Sequence, residues 1–158
     1  MTDDDTQRML SKPPQAGPQE SLRFTPIRTD AAIKAAAAVG DRKATTEQRA
    51  QAVILPVEDE FKRAALAGDF SMRDQAKTSK LFKIVEQPGA FRDCRMKYAY
   101  DNKQDIYSVS VTLNNQPMVV TVRTGGAFTE LSLSDRQGNV VEMWRQEEGK
   151  GVSVYRRE

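Results

Sequence analysis

Two hydrophobic periods divide this chain. From Arg95 onward the apolar and polar residues alternate, in RMKYAYD, IYSVSVTL, PMVVTVRT, FTELSLS, NVVEMWRQ and VSVYRR. A period of two predicts strands. The connections hold Asn102, Asn114-Asn115, Gly125-Gly126, Gly138 and Gly149-Lys150-Gly151, residues that tolerate the positive φ of tight hairpins. Connections this short join neighbours antiparallel, which predicts an up-and-down meander of about five or six strands over residues 95–157. Val109, Val111 and Leu113 alternate with Ser108, Ser110 and Thr112, and Val120 and Val122 with Thr121 and Arg123. Such a hairpin turns its aliphatic face to a core and its hydroxylated face to water.

Before Arg95 the period is that of a helix. Thr45 and Gln48 form a capping box, and Ala50, Ile54, Val57, Phe61, Ala64 and Ala65 then mark one helical face. Pro56 lies inside this register, so the helix either kinks there or restarts, and the unbroken register favours a kink. Gly68 ends the run. Ser71 with Asp74 resembles a further cap, opening a helix through Ala76 to about Val85, whose last part, LFKIV, also reads as a strand. Upstream, TDAAIKAAAAVG predicts a short Ala-rich helix capped by Thr29 or Asp30. An isolated helix below about 12–15 residues is marginal in water and needs a surface to lie on.

The predicted fold is α+β: helices of residues 46–86 packed on one face of a curved, mostly antiparallel meander, in a domain spanning 45–158. Helices followed by a meander resemble the general helix-on-curved-sheet shape of cystatin-like domains, a likeness of architecture that implies no function. Residues 1–44 read as an N-terminal arm. Before Phe61 the only aromatic is Phe24, and Pro13, Pro14, Pro18 and Pro26 crowd the first 28 residues, which lack the apolar surface to offset the entropy of ordering.

Composition narrows the chemistry. With 24 basic and 22 acidic residues, the net charge of +2 predicts no general attraction to nucleic acid or membrane. No apolar run approaches the ~20 residues of a membrane span. The acidic opening MTDDDTQRML differs from a secretory signal, and the expected location is cytoplasmic. The chain has no histidine and one cysteine, Cys94, which removes the usual Ser-His-Asp, Cys-His and imidazole or thiolate metal chemistry. No catalytic, cofactor-binding or metal-ligating residues are therefore assigned, and Cys94 reads as an ordinary thiol. Glu58-Asp59-Glu60 and Glu147-Glu148 read as solvated acids.

Three features remain. Arg73, Lys77, Lys80 and Lys83 form a basic face if they share a helix, a possible phosphate contact but more simply a solvated surface. Tyr98 and Tyr100 share a strand face with Met96 and read as packing rather than as stacking platforms. Trp144 is a core residue or an outward interface anchor, depending on strand register and on any bulge. The expected function is a non-enzymatic protein-interaction or assembly module, its arm ordering on a partner or a neighbouring subunit, with Phe24, Ile33 and Trp144 as contact residues. The alternatives are a small-ligand-binding protein or enzyme with a pocket between helix and sheet, and nucleic-acid binding through the basic face.

Overall fold

A computed structural model of the chain describes residues 44–157. Phe24, Ile33 and nearly all of the predicted arm lie outside the described residues. The first helix, α1, spans Thr46–Leu66. Its capping box is complete: the Thr45 hydroxyl accepts from the Gln48 N–H at 3.1 Å, and the Gln48 side chain accepts from the Thr45 N–H at 2.9 Å. The helix runs through Pro56 without a break, and it buries Ala50, Val53, Ile54, Val57, Phe61 and Ala65 along one stripe.

The single helix expected from Ser71 to Val85 is two. Helix α2, Phe70–Lys77, is capped by Asp69, whose carboxylate accepts from the Met72 N–H at 2.9 Å. Helix α3, Lys80–Glu86, is capped by Ser79, which accepts from the Phe82 N–H at 3.0 Å. A hydroxyl that captures a backbone donor in this way starts a new helix rather than continuing the old one. LFKIV is helical, and it buries Leu81, Phe82, Ile84 and Val85.

Six strands follow: β1 Arg95–Asp101, β2 Gln104–Leu113, β3 Gln116–Thr124, β4 Phe128–Asp135, β5 Val140–Glu147 and β6 Val152–Arg156. They lie in sequence order, each antiparallel to the next, in an open sheet edged by β1 and β6. Asn102-Lys103 and Asn114-Asn115 carry φ of 52°, 63°, 50° and 65°, the positive pair that a two-residue hairpin requires. Gly125 serves a different need, because a Cβ there would come within 2.4 Å of the Phe128 ring.

The registers set side chains in rows across the core face. Tyr98, Tyr107, Val122, Leu131, Trp144 and Val154 form one row. Met96, Val109, Val120, Leu133, Glu142 and Arg156 form the next. The helices cover these rows. Trp144 is fully buried, stacked on Phe82 at 4.6 Å between ring centroids and tilted against Phe61 at 6.3 Å. Its inward orientation follows from a bulge: Leu133 pairs with Glu142 but Ser134 with Val140, leaving Val141 extra. As a surface anchor for a partner, Trp144 is therefore ruled out.

Pro56 removes one hydrogen bond from the middle of α1, a defect worth up to about 3 kcal/mol, partly offset by its restraint on the unfolded chain. Pro56→Ala should stabilise the domain by roughly 1–2 kcal/mol in urea unfolding. An unchanged or lowered midpoint would show that Pro56 itself contributes to packing.

Candidate functional site

The core face of β5 carries Glu142, Trp144 and Gln146, so two of three inward side chains are polar. Glu142 is 1% exposed. One carboxylate oxygen accepts from the Lys80 N–H at 3.0 Å and faces Arg156 Nε at 3.3 Å. The other accepts from the Ser79 hydroxyl and from Trp144 Nε1 at 2.8 Å. The Arg156 guanidinium continues to the Thr78 hydroxyl at 2.6 Å and to the Gln75 carbonyl. One buried carboxylate thus ties β5, β6 and the α2–α3 junction together. Every donor direction it can serve is occupied, so it acts as a strut rather than as a free base.

A surface cavity of about 390 Å³ opens beside this cluster, lined by Asp74, Gln75, Lys80, Glu142, Arg156 and Arg157 among others. Gln75 Oε1 is buried there without a hydrogen-bond partner.

The expectation that Glu58-Asp59-Glu60 are solvated fails at Glu58. Glu58 is 5% exposed, and one of its oxygens is buried without a partner. Burial, reinforced by the neighbouring Glu86 carboxyl, pushes Glu58 up to about 8. Glu86 itself is held below the usual carboxylate range, chiefly by its hydrogen bond with Lys62. On the opposite face of the sheet, Glu130 sits between Arg123 and Arg145 on adjacent strands. Arg145 pairs with it and lies over the Phe128 ring at 4.2 Å. Burial pushes Glu130 up while both arginines pull it down.

Other residues singled out by the sequence are scattered. Arg73 and Lys77 lie on α2, Lys80 and Lys83 on α3, so the four exposed cations share no single helical face. Cys94 is buried, and that burial pushes its thiol up, away from the reactive thiolate. Among the described residues, no three acids or thiols converge to hold a metal ion, and no helix is long and apolar enough to cross a membrane.

The reading of Tyr98 and Tyr100 as packing holds for Tyr98, which lies against Tyr107, and fails for Tyr100. Tyr98 and Tyr100 project from the core face at the open edge, 46% and 64% exposed. Tyr98 stacks on the buried Tyr107 at 4.9 Å and donates its hydroxyl to Asp105 at 2.6 Å, which holds the ring in place. Every residue of β1 except the half-buried Met96 is exposed. Compared with protein-family models, curated proteins and solved structures, the chain matches none.

Removing the Glu142 carboxylate takes the counter-ion from Arg156 and the acceptor from three donors, on Ser79, Lys80 and Trp144. Glu142→Ala should cost about 3–5 kcal/mol in denaturant unfolding, and Ser79→Ala about 1–2. A loss below about 1 kcal/mol for Glu142→Ala would remove the strut from its place in the fold.

Glu58 gives a pH signature. Its folded value lies above its ordinary 4.5, so its contribution is fully present below 4.5 and is lost as pH rises through about 8. Glu58→Gln should therefore differ little from the parent near pH 4 and gain stability relative to it towards pH 9, on the order of a few kcal/mol. Unfolding curves across that range check this, and parallel pH profiles for the two proteins would refute it.

Proposed function

We propose that this chain is a non-enzymatic protein-interaction or assembly module that docks a partner on the β1 edge, with residues 1–44 ordering on that partner or on a neighbouring subunit. The observation that carries the reading is the exposed edge strand, with Tyr98 held beside it by Asp105 and Tyr100 exposed next to it. An edge strand presents a row of backbone donors and acceptors that can pair with another chain. Aromatic side chains placed next to that row add contact area at low entropic cost. Chemistry in place of binding finds little support: Glu142 is saturated, the Cys94 thiol is pushed up, and the chain lacks histidine. Phe24 and Ile33 are the arm's contact residues in this reading.

A second reading is small-ligand binding in the cavity, favoured by the unsatisfied Gln75 Oε1 and by the exposed Lys80 and Arg157. The polar wall suits a small hydrophilic ligand better than a greasy one.

Three baits separate these readings in a native extract: the full chain, Tyr98→Glu/Tyr100→Glu, and a chain lacking residues 1–44. A partner kept by the first and lost or weakened in the others is the expected outcome. Equal retention by all three would overturn the β1 edge and the arm together.

A further inference from the structure

From the geometry of β1 we infer that its partner is a second copy of this chain, the two β1 strands pairing antiparallel about a two-fold axis at Tyr98. The inference rests on the reading of β1 as a docking edge, and it adds the identity of the occupant.

Strand β1 is self-complementary. When Tyr98 faces Tyr98 of the second copy, all seven residues of β1 are paired. Arg95 then stands opposite Asp101, Met96 opposite Tyr100, and Lys97 opposite Ala99, each pair occurring twice by symmetry. Residues directly opposite share a sheet face, so the two ion pairs fall on the outer face and the Met–Tyr and Tyr–Tyr contacts on the core face. Lys97 lies diagonally between the second copy's Asp101 and its Lys97, so an attraction on one side offsets a repulsion on the other.

Neighbouring registers are worse. Sliding two residues one way sets Lys97 against Lys97. Sliding two the other way sets Lys97 against Asp101 but Arg95 against Lys103, and it leaves only the five residues from Lys97 to Asp101 paired within the strand. Like charges directly opposite are destabilising, and the Tyr98-centred register alone pairs all seven residues with no such opposition. The other edge offers no equivalent: β6 has five residues and two of them are buried.

The geometry also predicts which positions cross-link. Opposed residues in an antiparallel pair hold their Cα atoms about 4.5–5.5 Å apart, within disulfide range. Only Tyr98 opposes itself. Two copies of position 97 are offset beyond the roughly 7 Å that a disulfide spans.

The experiment is sedimentation equilibrium of the full chain with single and paired charge variants. Arg95→Asp and Asp101→Arg should each weaken the dimer at least about tenfold, by turning two attractions into repulsions, and Arg95→Asp/Asp101→Arg should restore it. These side chains are exposed, and unchanged thermal melts of the variants confirm that the fold is intact. Under mild oxidation Tyr98→Cys should form a covalent dimer, while Lys97→Cys and the parent, with Cys94 buried, should not. A parent that is monomeric at every concentration overturns the inference, as does a dimer indifferent to the charge variants. If the parent is monomeric yet the baits retain a β1-dependent partner, the docking edge stands and only self-pairing falls. If neither is found, both fall.

Discussion

The fold hangs on one buried carboxylate. Taking Glu142 out of water costs several kcal/mol, and the structure offsets that cost only by bringing four groups to it from three elements. Two of those groups, the Ser79 hydroxyl and the Lys80 N–H, exist only where α2 stops and α3 starts. The break in the helices and the acid on β5 are therefore one feature. A continuous helix through Thr78 and Ser79 would leave Glu142 without two of its donors, and an apolar residue at 142 would leave the Ser79 hydroxyl and the Lys80 N–H without their acceptor and Arg156 without its counter-ion.

That anchor also makes the sheet asymmetric. The helix pair is fastened at β5 and β6, with Phe82 stacked on Trp144 and Arg156 reaching the end of α2. At the far edge the same row that is sealed at Trp144 ends in Tyr98, nearly half exposed. A six-stranded sheet that closed on itself would satisfy the backbone of both edges. This one remains open, with β1 presented alongside two exposed tyrosines.

Strand positions were the most legible part of the sequence, because period-two alternation and the turn residues Asn102, Asn114-Asn115, Gly138 and Gly149 agree with one another at every hairpin. The capping box at Thr45 was equally plain. What alternation could not show is which face of β5 turns inward. Val141 and Met143 are the apolar pair, yet the row facing the helices takes Glu142, Trp144 and Gln146 while Met143 is buried on the opposite face, because a bulge shifts the register and because polar residues can be buried when donors await them. The cap at Asp69 was missed for a related reason: Ser71 and Asp74 match the same pattern, and only the position of Met72 in the core decides between them. Glu142 left little signal in the sequence, since the helix donors it serves, on Ser79 and Lys80, lie more than sixty residues away, although Trp144 is only two residues on.

Glu142 and Glu58 show that burial alone does not decide what a carboxylate does. Both are almost fully enclosed. Glu142 has donors on each oxygen, so the interior supplies what water would have supplied. Glu58 has a carboxyl neighbour and an oxygen with no partner, and its nearby cation, Lys62, is bound to Glu86 instead. The cheapest response for such a group is to keep its proton, which turns an electrostatic penalty into a hydrogen-bond donor for Glu86. The two sites therefore load the fold in opposite ways. One is a fixed polar joint between helix and sheet, and the other is a joint between α1 and α3 whose strength depends on the proton it holds.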